Sequence, residues 1–127
     1  MSKLKMSKHT PLKLLNNIRD DKSTWNLCFV NATIQTLYGI TELRDYFKSL
    51  DYEDPVNQPI CKEITRIFKS EGKSIESTSK LRKLIGESSG LSYMANGSQQ
   101  DLMHFLDLLL RSLFDELTIK MTMMDWD

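Results

Sequence analysis

The chain has 127 residues, 40% hydrophobic and 27% charged, the proportions of one soluble globular domain with a modest core. Lysine plus arginine and aspartate plus glutamate are both 17, so no net field draws the chain to nucleic acid or to a membrane surface. Two cysteines, Cys28 and Cys61, lack any Cys-x-x-Cys spacing and lie far in sequence from His9 and His104. That excludes a disulfide framework and a zinc site, and no metal or cofactor is expected.

Residues 1–22 are polar and basic (Lys3, Lys5, Lys8, Lys13), with one apolar patch at Leu12, Leu14, Leu15 and Ile18. The stretch has no apolar run for a signal peptide or a membrane span and reads as a solvated, frayed segment. A first helix is expected from Asn26 or Cys28 to Tyr38, with Val30, Ile34 and Leu37 on one face and Gly39 closing it. Thr41 is placed to cap a second helix, in which Leu43, Tyr46, Phe47 and Leu50 share a face. Residues 51–54, followed by Pro55, read as a loop.

A third helix carries Ile60, Ile64, Ile67 and Phe68 and is expected to stop at Gly72. Residues 73–79 form a polar connection, and a short fourth helix buries Leu81, Leu84 and Ile85. Residues 86–97 are rich in glycine and serine and read as a loop from which Leu91, Tyr93 and Met94 can dock onto the core. Ser98, with Asp101 at capping-box spacing, opens the last helix, whose stripe is Leu102, Phe105, Leu106, Leu109, Leu113 and Leu117. Residues 118–127 follow as a tail, and no run alternates with period two for long enough to give a strand. The expected fold class is mainly α.

Cys28 stands where a polar loop gives way to an apolar helical stripe. The free N–H groups and partial positive charge of a helix start favour a thiolate, which is the form a nucleophilic cysteine needs. The plain alternative is an inert buried thiol, with Asn31 and Gln35, at i and i+4, forming a polar helix edge. Cys61 has only the plain reading, and His104, between apolar neighbours, reads as a boundary histidine. Free thiols fit a reducing intracellular compartment, cytoplasmic or nuclear.

The segment Asn26-Leu27-Cys28-Phe29-Val30-Asn31-Ala32-Thr33-Ile34-Gln35-Thr36-Leu37 resembles the cysteine box of the ubiquitin-specific proteases, Gly-Asn-Thr-Cys-aromatic-x-Asn-x-x-x-Gln-x-Leu. Asn26, Cys28, Phe29, Asn31, Gln35 and Leu37 match it. Gly97-Ser98-Gln99-Gln100-Asp101, followed by Phe105 and Leu106, is similar to the same family's Gln-Gln-Asp box. The resemblance covers residues 23–117 and implies the helical thumb of a papain-like cysteine protease, without the palm and fingers of the full domain. It implies Cys28 as the nucleophile that attacks the carbonyl after the last glycine of ubiquitin or a ubiquitin-like protein. Gln99, Gln100 and Asp101 would hold the extended C-terminal tail of that partner, a carboxylate being a good acceptor for the N–H groups of an extended peptide. Asn26 and Ser23 are the candidates for the oxyanion region, Ser23 standing where the family carries an asparagine. Trp25 replaces a family glycine, and Leu27 a threonine.

The family's catalytic histidine and its acidic or amide partner come from a later box, and the resemblance places neither His9 nor His104 in that role. Two functions are therefore expected from the sequence. One is a cysteine deubiquitinase part that is inactive as an isolated chain, its missing palm supplied elsewhere, for instance by another chain. The other is a catalytically dead helical module that binds ubiquitin or a partner.

Overall fold

The computed structural model describes residues 9–15, 27–50, 58–90 and 102–124, with side chains in the last stretch described as far as Leu117. Its elements in chain order are β1 (Lys13–Leu14), α1 (Cys28–Gly39), α2 (Thr41–Ser49), α3 (Pro59–Lys69), β2 (Ile75–Glu76), α4 (Ser79–Ser89) and α5 (Leu102–Met124). The fold is mainly α. The expected loop at residues 51–54, the docking of Leu91, Tyr93 and Met94, and the Ser98–Asp101 cap all lie outside the described residues.

Helical periodicity builds the core. Val30, Ile34 and Leu37 of α1, Ile60, Ile64, Ile67 and Phe68 of α3, Leu81 and Ile85 of α4, and Phe105, Leu109 and Leu113 of α5 are buried together. Helix α3 touches α2, α4 and α5, while α1 packs on α2 and α5. Phe68 sits at the centre, edge-on to Tyr38 at 5.1 Å and to Phe47 at 5.6 Å between ring centroids. Cys61 is fully buried in this core.

Several boundaries differ from expectation. Thr41 is the first residue of α2 and does not cap it. The cap position is Ile40, which has extended dihedrals, so the helix begins one residue early in register terms. Gly86 does not end α4, because Ile85 and Gly86 are both buried against the neighbouring helices. The stop comes at Gly90, whose left-handed backbone (φ +73°) lets its N–H bond the last turn. Leu102 is partly exposed and does not continue the buried stripe of α5. The helix itself runs on through Met124, so the expected tail begins as helix.

The larger difference is at residues 9–15, which are docked rather than frayed. Strand β1 pairs in parallel with β2, Lys13 opposite Ile75 and Leu14 opposite Glu76, and Leu15 N–H donates to the Glu76 carbonyl at 2.9 Å. Leu12 is buried in the main core. Gln35 on α1 treats Leu12 as a strand partner would. Its Nε2 donates to the Leu12 carbonyl at 2.6 Å and its Oε1 accepts from the Leu12 N–H at 3.2 Å. The strap passes so close to the end of α3 that a Cβ on Gly72 would meet the Pro11 carbonyl oxygen at 2.5 Å.

The start of α3 is satisfied from a distance. Pro59 opens the helix without a donor to satisfy. The next two N–H groups, of Ile60 and Cys61, both donate at 2.8 Å to the carboxylate of Glu116 on α5. The side chain of Gln58, at the cap position, donates to the Glu116 carbonyl at 3.2 Å instead of capping its own helix.

Candidate active site

Cys28 is the first residue of α1 and is exposed. The helix starts here because Leu27, fully buried, anchors the chain and its carbonyl accepts the first helical bond, from Asn31 N–H at 2.8 Å. No acidic residue stands in the first turn of α1 to offset the partial positive charge of its N–H groups. The alternation of Cys28 outward with Phe29 and Val30 inward fixes the helix's rotation and with it the thiol's outward position.

Phe29 meets Phe105, edge-on with centroids 5.3 Å apart. Phe105 lies in the first turn of α5, which begins at Leu102, the residue after Asp101. The helix that Cys28 opens is therefore packed against the opening turn of the helix that follows the Gln-Gln-Asp segment.

The polar motif residues downstream of Cys28, Asn31 and Gln35, are half-buried and bonded within the chain. Asn31 joins two segments: its Nδ2 donates to the Leu15 carbonyl at 3.1 Å, and its Oδ1 accepts from the Thr78 hydroxyl at 2.5 Å. Gln35, one turn on, holds Leu12. Their i, i+4 spacing puts both on the strap side of α1, so the expected polar edge is a clamp.

His9 lies edge-on to Tyr38 at 5.2 Å, and Tyr38 is ten residues beyond Cys28, about 15 Å along the helix. His104 is half-buried on α5. Ser23, Asn26, Gln99, Gln100 and Asp101 lie outside the described residues. Among the described residues no cluster of three or more histidine, cysteine or acidic side chains could hold a metal, and no helix is long and apolar enough to cross a membrane.

The sequence model of the ubiquitin carboxyl-terminal hydrolase family matches residues 20–123. The chain belongs to this family. No curated protein and no solved structure matches the chain. Membership in the ubiquitin carboxyl-terminal hydrolase family is membership in a deubiquitinase-type family, with ubiquitin as the class of substrate or partner.

Three residues that shape this hydrolase-family chain have no signal in the sequence. Thr78 is fully buried and binds Asn31 from 47 residues away. Glu116 closes the start of α3 from 55 residues away. Arg82 is 1% exposed on α4, where burial pushes its guanidinium below its ordinary proton affinity. Thr78, at the cap position of α4, and Glu116, on α5, are revealed only by their long-range partners, and Arg82 only by its burial.

Proposed function

We propose that Cys28 is the nucleophile position of a cysteine deubiquitinase, with Gln99, Gln100 and Asp101 receiving the ubiquitin tail and Ser23 and Asn26 flanking the oxyanion. The observation that carries this reading is the Phe29–Phe105 contact. It joins the turn bearing Cys28 to the turn that follows Asp101, and Cys28 is exposed there at a helix start. The chemistry is addition of the thiolate to the carbonyl after the last glycine of ubiquitin, releasing the amine and leaving a thioester.

The 127-residue chain alone is expected not to turn over. Acyl transfer needs a base to activate the thiol and an acid to protonate the leaving amine. His9 stands at the far end of α1, and His104 occupies a position where ubiquitin-specific proteases carry a glutamate. The remaining machinery, the palm, would come from elsewhere in the assembled enzyme, in sequence or as another chain. The cytoplasm or nucleus is the compartment where ubiquitin and a free thiol meet.

The test is reaction with ubiquitin carrying a C-terminal electrophile, read by mass. An adduct lost in Cys28→Ala supports the nucleophile position. Ubiquitin binding without an adduct would support the alternative, a catalytically dead binding module. Neither adduct nor binding would refute both. Turnover of a ubiquitin amide by the chain alone would refute the proposed inactivity.

A further inference from the structure

Helix α5 has two faces. One buries Phe105, Leu109 and Leu113, together with Ser112 and Glu116. On the other, Met103 is 65%, Leu110 49% and Phe114 70% exposed. Spacings of three and four residues put Met103, Asp107, Leu110 and Phe114 in one stripe, with Arg111 at its edge. Of the six exposed large hydrophobic side chains among the described residues, four lie on α5, and three of them, Met103, Leu110 and Phe114, share this face.

The order of this stripe names its occupant. Read forward it is apolar, acidic, apolar, basic, apolar: Met103, Asp107, Leu110, Arg111, Phe114. Read backward, the two charges exchange and the apolar ends remain at the ends. A surface with that property is complementary to itself across a two-fold axis, where residue i meets j and j meets i.

We propose that two copies of this chain associate through α5, antiparallel, about an axis midway between Asp107 and Arg111. Asp107 of each copy then faces Arg111 of the other. The two pairs are separated by about 6 Å along the helix, with Leu110 beside the axis. Phe114 reaches the level of Met103 on the second copy, so the apolar ends cover each other. A parallel arrangement instead sets aspartate on aspartate and arginine on arginine, which disfavours it. Within one chain Asp107 and Arg111 already touch, at 3.1 Å, with both side chains more than half exposed, so pairing costs only an exchange of partners. A contact made through one helix face is small for a specific interface, so the dimer exchanges readily with monomer.

Sedimentation of the full chain over roughly 5–300 µM spans the affinities such an interface supports. The expected result is a mass that rises from one chain toward two. Asp107→Arg and Arg111→Asp should each weaken association about tenfold by placing like charges across the axis. The double variant Asp107→Arg/Arg111→Asp should restore it, and an equimolar mixture of the two single variants should give a mixed dimer. Unchanged helical circular dichroism in each variant shows that folding is intact. A monomer across the whole range overturns the proposal, as does a double variant that associates no better than the single ones.

Discussion

Gly72 and Gly90 have nearly the same backbone, with φ of +77° and +73°, and alanine at either is forced into the left-handed region. Their surroundings differ. At Gly90 a Cβ meets nothing within 4 Å, while at Gly72 it meets the Pro11 carbonyl oxygen at 2.5 Å. Gly90→Ala should therefore cost only the conformational strain, about 1 kcal/mol. Gly72→Ala carries the same strain and in addition drives back a backbone carbonyl. That carbonyl belongs to a strap held by the paired Gln35–Leu12 hydrogen bonds and by burial of Leu12. Two net hydrogen bonds are worth about 1 kcal/mol each, and one buried leucine about 2 kcal/mol. Chain entropy regained by a loosened strap offsets part of this. The expected cost is about 3 kcal/mol at Gly72 against about 1 at Gly90, a difference of about 2. Urea denaturation of both variants measures it, with the same m-value confirming one unfolding reaction. Equal losses would mean that the strap does not bear on α3, and the docked position of residues 9–15 would be wrong.

Glu116→Ala should destabilise by about 3 kcal/mol or more, because it leaves the buried N–H groups of Ile60 and Cys61 without their acceptor. Glu116→Gln, which keeps one acceptor oxygen, should cost less, and a loss below about 0.5 kcal/mol for the alanine variant would refute this role in denaturant titrations. Gln35→Glu should unseat the strap, since a carboxylate cannot donate to the Leu12 carbonyl. Faster hydrogen exchange at residues 10–15, with helix α3 unchanged, is the expected signature. The Ser74 hydroxyl and then Arg66 hold the Glu76 carboxyl below the usual carboxylate range, and Lys48 does the same for Glu71. Their folded-state values are lowered, so their stabilisation is present at neutral pH and is lost as pH falls through the carboxylate range. The melting temperature should drop on that acid limb, less steeply in Glu76→Gln and at high salt. An identical acid limb in that variant would refute the assignment.

The helices were legible because apolar residues recur at helical spacing toward one core, as Ile60, Ile64, Ile67 and Phe68 do in α3; α2 carries the least of this, with Phe47 buried, Leu43 partly buried and the expected Tyr46 exposed. Their ends were less so. Thr41 looks like a cap, yet the extended backbone at Ile40 takes that position. Gly86 looks like a stop, yet burial of Ile85 and Gly86 carries the helix past it. The strap was illegible for a different reason. Strands β1 and β2 have two residues each, too short for any alternation to register. What holds the strap is a side chain 23 residues away and a glycine at the end of another helix. Of the candidate site, the helix start at Cys28 was legible from the change in polarity around it, while the exposure of the thiol was not. The buried Thr78 and Glu116 carry no local pattern at all.

Two residues of the cysteine-box match serve the scaffold. Asn31 spends both ends of its amide on Leu15 and Thr78, and Gln35 spends both ends of its amide on Leu12. Each uses a donor and an acceptor that aspartate or glutamate could not supply together. The motif therefore carries two kinds of information. Its cysteine and aromatic place a thiol at a helix start over the core, through Phe29 on Phe105. Its asparagine and glutamine tie that helix to the chain that precedes and follows it. A sequence can keep the second set for stability alone, so matches at Asn31 and Gln35 argue for the fold of the box. Reaction of Cys28 with a ubiquitin electrophile is what decides whether the box still does its chemistry.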